Sequence, residues 1–367
     1  MTKYTRQVKP KKNRKIQNHT SVVDLFCGVG GLTHGLVKAG LSVKAGFDLD
    51  SSCKFAYEVN NKAKFICSDI SHVRKNAITE HWNKNDIKIL VGCAPCQPFS
   101  THSNKINQKE KEKGNKWNLL VEFIRIIKEA RPDIISMENV TNLSNKEIFK
   151  TFVDNLKKLK YHISYENIYC PDYGIPQKRR RLVLLASKFG PIEMITPTHQ
   201  KNAYKTVFST IGHLTPVQSG EKHPKDPLHV TTKLTDINLK RIKASVPNGT
   251  WEDWDKELRL KCHKRKSGKT YKAVYGRMSW DEPSPTITTQ FYNYGTGRFG
   301  HPVQNRALTV REASLLQSFP HNYKFLEKGE EVHLKRIGTH IGNAVPVDLG
   351  FAIGKSILQH LTNVNNE

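Results

Sequence analysis

The chain has 367 residues, of which 37% are apolar and 25% are charged, so it can bury a sizeable core and is not a wholly disordered protein. Lys and Arg total 59 against 33 for Asp and Glu, and the net charge of +26 indicates a polyanionic partner rather than a membrane surface, since no basic amphipathic helix is found. No apolar run approaches the roughly 18 residues of a membrane span, and the charged N-terminus lacks the apolar stretch of a secretory signal.

The sequence divides into four predicted segments. Residues 1–19 are basic and rich in Asn, and we expect a flexible tail, either a solvated leader or an arm that touches nucleic acid. Apolar runs alternate with helical spacings from 20 to 190, which predicts an α/β catalytic domain with an open, mostly parallel sheet. Residues 191–335 are richer in Pro, His, Thr and Lys and predict a smaller, irregular domain. The helical segment 336–367 is expected to complete the first domain.

The predicted elements follow in chain order. Short apolar runs predict strands at 22–26, 42–47, 64–67, 87–91, 133–137, 163–169 and 182–186, of which the last two form a hairpin. Apolar residues at helical spacing predict helices at about 32–40, 52–60, 119–127, 148–159, 309–317 and 347–361.

A glycine-rich loop joins the first predicted strand to the first helix. The loop, 27–31, would let the backbone approach a ligand closely, but Thr33 stands where a dinucleotide fingerprint needs glycine. The alternative is a tight strand–helix turn with no ligand. Asp24, Asp48 and Asp69 lie at strand ends, and these carboxylates favour an adenosyl ligand without phosphate.

The segment 92–100, Gly-Cys-Ala-Pro-Cys-Gln-Pro-Phe-Ser, carries a Cys-x-x-Cys pair. A redox dithiol and half of a zinc site are two interpretations, although no second cysteine pair is present. In the third, Cys96 is a nucleophilic thiol held on a rigid turn after Pro95, which requires electropositive surroundings to form the thiolate.

Two later polar features are weaker signals by themselves. Glu138 ends an apolar strand, where it is either a proton donor at the ligand-binding edge of the sheet or a solvated cap. Four adjacent cations in 178–181 suit phosphate contact or a solvated turn.

Taken in order, these segments resemble the DNA (cytosine-5) methyltransferases of the bacterial restriction–modification type. The matching blocks are DLFCGVGG, GCAPCQPFS, MENV, QKRRR, HPVQNRALTVREASLLQSFP and IGNAVP, and they span roughly 21–190 and 270–360. The resemblance implies a Rossmann-like S-adenosylmethionine-dependent methyltransferase sheet with a smaller target-recognition domain. It implies methyl transfer from S-adenosylmethionine to carbon 5 of a flipped-out cytosine in a specific duplex DNA sequence. The alternatives are the family's tRNA-methylating branch, whose Cys-Phe-Thr signature is absent, and a catalytically inactive DNA-binding relative.

The resemblance also implies roles for single residues. Cys96 would form a covalent adduct with carbon 6 of the cytosine, Glu138 would protonate ring nitrogen 3, and Asn139 would fix Glu138. Arg179 and Arg181 would hold the cytosine's carbonyl oxygen and the active-site loop. The cofactor would be bound by Phe26, Gly28, Gly30, Gly31, Asp48, Leu49, Asp69, Ile70, Pro95, Leu119, Asn343 and Ala344.

Further expectations concern the surroundings of the site. Asp48 would bind the ribose and Asp69 the adenine amino group, whereas Leu49 replaces the aromatic residue that many members place against the adenine. No metal enters the implied mechanism, and the polar loop 101–116 would close over the flipped-out base. We expect a monomeric enzyme whose partner is duplex DNA. A restriction endonuclease that acts separately on the same DNA site is a further expected partner. The 7 scattered cysteines suggest a reducing compartment, here the bacterial cytoplasm near the nucleoid.

Overall fold

The computed structural model describes residues 19–95, 118–265 and 268–366. In this part of the chain seven strands form one sheet. Their bounds are β1 Thr20–Leu25, β2 Val43–Asp48, β3 Lys64–Cys67, β4 Ile87–Gly92, β5 Ile134–Asn139, β6 His162–Tyr169 and β7 Arg180–Ser187. Each predicted strand is therefore present, with its ends shifted by only a few residues.

The sheet is mostly parallel, as the sequence predicts. The strand order is β3-β2-β1-β4-β5-β7-β6, and the pairs from β3 to β5 are all parallel. Strand β7 runs antiparallel to both of its neighbours, β5 and β6, so the predicted hairpin is also confirmed. Because β1, β2, β4 and β5 are parallel, their carboxyl ends meet at one edge of the sheet, which is where α/β proteins bind ligands.

Helices cover both faces of the sheet. Their bounds are α1 Gly31–Ala39, α2 Lys54–Asn61, α3 Lys75–Thr79, α4 Asn118–Ala130, α5 Glu147–Lys158, α6 Val207–Ile211, α7 Asp236–Ala244, α8 Val310–Leu316, α9 Leu334–Asn343 and α10 Val347–Asn366. Of the two larger apolar cores, one lies under α1 and α10 and the other under α4 and α5, and a small third cluster contains Ile242, Tyr294 and Ala307. Among the helices of the described residues, none combines the length and the apolar character that a membrane span requires.

The end of the chain packs tightly onto its beginning through α1 and α10. A Cβ atom at Gly35 would lie 2.2 Å from the carbonyl oxygen of Val347, and one at Gly350 would lie 2.7 Å from that of Leu32. Only glycine allows the two helix backbones to approach so closely. This contact is our reason for proposing that the C-terminal segment 336–367 belongs to the first domain. The boundaries at 190 and 335 stay predictions.

A buried ion pair joins α8 to the segment before it. The Arg306 guanidinium donates to both carboxylate oxygens of Glu312, over 2.8 and 2.7 Å, and both side chains are 1% exposed. Burial alone would raise the pKa of Glu312, but Arg306 lowers it to about 2. Burial lowers the pKa of the neighbouring His301 to about 4.

We expect Glu312→Gln to lower the free energy of unfolding by about 3–5 kcal/mol, because it leaves the Arg306 charge buried without its partner. The control is Glu330→Gln, which breaks a partly exposed pair with Arg336 and should cost less than about 1 kcal/mol. Both pKa values are lower in the folded state, so the wild-type protein should lose stability as the pH falls from 6.5 towards 2. Urea unfolding at several pH values measures both effects, and equal losses in the two variants would contradict the prediction.

Candidate active site

A cavity of about 530 Å³ lies at the carboxyl edge of the sheet. It is bounded by the ends of β1, β2 and β4, by the first turns of α4, and by the end of α9. The predicted cofactor residues that line it are Phe26, Gly28, Asp48, Leu49, Asp69, Ile70, Pro95, Leu119, Asn343 and Ala344. The fold thus collects residues that are distributed over more than three hundred positions of the sequence.

Two predicted cofactor residues, Gly30 and Gly31, do not line the cavity. Gly30 has a positive φ of 87°, and a Cβ atom there would lie 2.5 Å from the side-chain nitrogen of Asn61. A Cβ atom at Gly31 would lie 2.3 Å from the carbonyl oxygen of Val345. Because neither glycine has a side chain, the loop can pack closely against α2 and the segment after α9. They shape the cavity by allowing this packing rather than by facing a ligand.

Asp48, at the end of β2, connects two loops beside the cavity. Its Oδ2 accepts a hydrogen bond from the Gly28 backbone over 2.8 Å, and its Oδ1 accepts one from the Asp50 backbone over 2.9 Å. Burial raises the pKa of this carboxyl group. A carboxylate has about four acceptor positions, so Asp48 retains the capacity to accept hydroxyl groups of a ligand.

Asp24 lies deeper, at the end of β1 and under the glycine loop. Thr33 donates a hydrogen bond to its Oδ2 over 2.6 Å, so the residue that breaks the dinucleotide fingerprint instead anchors this acid. The Oδ1 atom is buried and has no hydrogen-bond partner within the described chain. Burial raises the pKa of Asp24 to about 7. An unsatisfied buried oxygen on the cavity wall fits a ligand that brings a polar group of its own.

His340 on α9 is a cavity residue that sequence analysis missed. Its Nε2 lies 3.0 Å from Ser52 Oγ and 3.3 Å from Asp50 Oδ2, and burial lowers its pKa. Asp50, Cys53 and His340 together offer three potential metal ligands within 4.8 Å of one another. Burial raises the pKa of the Cys53 thiol, and Asp50 Oδ1 accepts a hydrogen bond from the Ser52 hydroxyl. The contacts of His340 with Ser52 and Asp50 join α9 to the turn after β2.

Glu138 ends β5 next to the cavity and is 2% exposed. Its Oε1 lies 2.9 Å from the Nε of Arg181, which stands near the start of β7, the neighbouring strand. Its Oε2 accepts a hydrogen bond from the Cys93 thiol over 2.7 Å. The next residue, Asn139, donates from its side chain to the carbonyl oxygen of Ala94 over 3.0 Å and so ties the segment after β4 to β5.

Arg179 is buried at the meeting point of three segments. Its guanidinium donates to the carbonyl oxygens of Ile287 and Ala344 over 3.3 and 3.5 Å. Burial, together with repulsion from Arg181, lowers its pKa to about 10. The Nε atom of Arg179 has no hydrogen-bond partner in the described chain. The same is true of Glu138 Oε1, because its contact with Arg181 is an ion pair in which no N–H points at the oxygen. Arg179 Nε is thus a buried donor, and Glu138 Oε1 a buried acceptor, for which the described residues supply no hydrogen bond.

Some predicted features lie outside the described residues. They are the candidate nucleophile Cys96, the polar loop 101–116 and nearly all of the basic tail 1–19. Pro95, the residue directly before Cys96, lies on the cavity wall.

Comparison with known proteins gives a consistent result. The family model for C-5 cytosine-specific DNA methylases matches residues 20–359. The Type II methylase M.HgiDII of Herpetosiphon aurantiacus is 51% identical over 348 residues, which cover 94% of this chain and 97% of that protein. The Type II methyltransferase M.Eco47II of Escherichia coli is 31% identical, over 96% of this chain and 82% of its own. The solved structure of the Entamoeba histolytica methyltransferase EhMeth has the same fold, with a TM-score of 0.64 at 16% identity over 94% of this chain and 99% of that chain.

Proposed function

Because the chain belongs to the C-5 cytosine-specific DNA methylases, of the type found in bacterial restriction–modification systems, we propose that it methylates one cytosine within a specific sequence of duplex DNA. The enzyme is a DNA (cytosine-5) methyltransferase, and its methyl donor is S-adenosylmethionine. The more specific proposal is carried by the buried Glu138 Oε1 and Arg179 Nε, neither of which has a hydrogen-bond partner in the described residues. The edge of a cytosine ring offers a partner to both.

The cavity suits the methyl donor. S-adenosylmethionine, when bound, supplies an electrophilic methyl group on a sulfonium sulfur. Asp48 would accept the ribose hydroxyls and Asp69 the adenine amino group, while Phe26 and the Gly28 backbone line the cavity. Asn343 would close it from the end of α9. The unpartnered Asp24 Oδ1 supports this assignment, because a cavity for a purely apolar ligand would leave that oxygen unsatisfied.

The chemistry on the base rests on Cys96 and Glu138. The ring carbons are inaccessible inside the base stack, so the cytosine has to be flipped out of the duplex. The Cys96 sulfur adds to carbon 6 as a thiolate, and the electron pair of the carbon 5–carbon 6 bond is displaced towards nitrogen 3. Glu138 protonates nitrogen 3 or donates a hydrogen bond to it, which relieves the charge and makes carbon 5 nucleophilic. Methyl transfer leaves S-adenosylhomocysteine. A base then takes the proton of carbon 5, Cys96 leaves carbon 6 as the thiolate, and nitrogen 3 returns its proton to Glu138, which restores the aromatic ring.

The remaining polar residues hold this arrangement in place. Arg181, on the neighbouring strand β7, forms an ion pair with Glu138 and would hold its side chain in position. Arg179 would bind the carbonyl oxygen of the cytosine. Asn139 ties Ala94, and with it the segment that leads to Cys96, to β5. We expect residues 191–335 to read the DNA sequence as the target-recognition domain. The net charge of +26, which belongs to the whole chain, favours binding to a polyanion.

We expect Asp48→Ala to weaken cofactor binding by about 1.5–3 kcal/mol, the scale of lost hydrogen bonds to a charged group. DNA affinity should change little. Titration calorimetry with S-adenosylmethionine measures the first quantity and a gel-shift assay the second. Asp154→Ala, at an exposed position of α5, is the control. Unchanged cofactor affinity in Asp48→Ala would remove Asp48 from the site.

Leu49 is 69% exposed at the cavity, where a larger flat side chain has room. We expect Leu49→Trp to tighten cofactor binding about fivefold or more, because stacking of a base on an aromatic ring contributes about 1–3 kcal/mol. The same calorimetric titration tests this. Val59→Trp on α2, also exposed but away from the cavity, should leave the affinity unchanged. Equal or weaker binding by Leu49→Trp would show that residue 49 does not cover the adenine.

The proposed activity is tested with labelled cofactor and three samples, of which two contain a nucleic acid. Duplex DNA should take up the methyl group, whereas transfer RNA and a sample without nucleic acid should not. Bisulfite sequencing of DNA from cells that express the chain should then show modified cytosines within one recurring sequence. The tRNA alternative is not favoured, and label transferred to RNA but not to DNA would overturn the proposal. We further propose a monomer that acts on DNA in the bacterial cytoplasm beside a cognate endonuclease, which gel filtration and cleavage of unmethylated DNA would test.

A further inference from the structure

We infer that Cys93, which the proposed reaction does not use, is a positioning residue that orients the carboxyl group of Glu138 towards the target base. The inference rests on the proposed function, since it concerns how Glu138 performs its role. Its basis is the hydrogen bond from the Cys93 thiol to Glu138 Oε2, over 2.7 Å. The thiol thus has a role that requires neither a disulfide nor a metal.

The sheet places the two side chains against each other. Strands β4 and β5 are parallel neighbours, and their register pairs Gly92, the last residue of β4, with Met137. Cys93, directly after β4, and Glu138, on β5, are the next positions along the chain. The Cys93 backbone donates to the carbonyl oxygen of Leu25 over 3.3 Å, which fixes the residue to β1 on the other side. The backbone of Cys93 is therefore held against the edge of the sheet, directly after the last residue of β4.

The two carboxylate oxygens of Glu138 have different surroundings. Oε2 accepts the thiol hydrogen bond, whereas Oε1 has only the unaligned ion pair with Arg181 and no hydrogen bond within the described chain. The terminal torsion of a glutamate is soft and roughly two-fold, so the carboxyl group could otherwise rotate. With Oε2 held by Cys93, Oε1 is the oxygen left to meet the base. The thiol thereby pre-organises the group that acts on nitrogen 3.

The test compares variants with and without a donor at position 93. Cys93→Ala and Cys93→Val remove the donor, and we expect kcat to fall about tenfold in both, the scale of one hydrogen bond to a charged group. The KM values for DNA and cofactor should stay within about twofold, because ground-state binding is unaffected. Cys93→Ser keeps a donor and should retain most of the wild-type kcat. Thr151→Ala, which removes a hydroxyl group at an exposed position of α5 outside the cavity, is the control and should behave as wild type.

A double-mutant cycle separates positioning from structural support. If Cys93 acts through Glu138, Cys93→Ala should cost less than about twofold in kcat when it is added to Glu138→Gln. Equal losses in both backgrounds, or a Cys93→Ser enzyme as slow as Cys93→Ala, would overturn the inference. Thermal melting of each variant identifies a folding defect, and Cys93→Val keeps the space filled if the alanine variant is unstable. If Glu138→Gln is itself fully active, the proposed catalytic role of Glu138 is wrong. This outcome is distinguishable from a failure of the inference about Cys93.

Discussion

Replacement of Cys96 by serine is expected to reduce methyl transfer on the order of 10⁴-fold or more, the scale of loss when a catalytic nucleophile is removed. A serine hydroxyl is not ionised at neutral pH and is a poor nucleophile without an adjacent base, whereas a thiol in electropositive surroundings forms the reactive thiolate. Single-turnover transfer from labelled cofactor to DNA measures the effect. Cofactor and DNA affinities should stay close to wild type, because Cys96 acts on the bound base.

The matched control is the other cysteine of the same segment. Cys93→Ser retains a hydrogen-bond donor to Glu138 and should keep most of the activity. A Cys96→Ser enzyme that retained a tenth of the wild-type rate would show that another group attacks the ring.

Glu138→Gln should lower the rate of methyl transfer roughly 10²-fold or more, the usual contribution of a general acid. The amide has nearly the same shape, but it cannot carry a transferable proton at the same place. DNA affinity should change little, and gel-shift titration checks this separately from the rate. Glu166→Gln, at an exposed position of β6, is the control. A Glu138→Gln rate within a few-fold of wild type would remove Glu138 from the chemistry.

Much of the fold was predictable because strand signals in a parallel sheet are strong and local. Short apolar runs ending in Asp24, Asp48 or Glu138 indicate buried strands with acids at their carboxyl ends. Parallel strands bring those ends to one edge, and this is why Asp24, Asp48 and Asp69, which are far apart in the sequence, all line the cavity. The helices α1, α4, α5 and α10 were predicted because each has a long apolar face, whereas α3 and α6 are too short to show one.

The contacts that local patterns cannot reveal are those between distant segments. His340 meets Asp50 across 290 positions, and only the packing of α9 on the turn after β2 brings them together. The bond between Cys93 and Glu138 depends on the register of β4 and β5, which periodicity does not specify. Gly28 and Gly31 lie in the same glycine-rich loop of the sequence, yet only Gly28 lines the cavity. A Cβ atom at Gly31 would collide with the backbone of Val345. The role of a glycine therefore depends on which atoms occupy the space that a side chain would fill.

The most direct test of the central claim is to trap the covalent adduct on Cys96. Duplex DNA that carries 5-fluorocytosine at the methylated position should form a complex with the enzyme and S-adenosylmethionine that survives denaturation, because fluorine cannot leave carbon 5 as a proton does. Mass spectrometry of the digested complex should place the nucleotide on the peptide that contains Cys96, and Cys96→Ser should give no complex. An adduct on another residue, an adduct formed by Cys96→Ser, or no adduct from an enzyme that methylates the unfluorinated site would contradict the account.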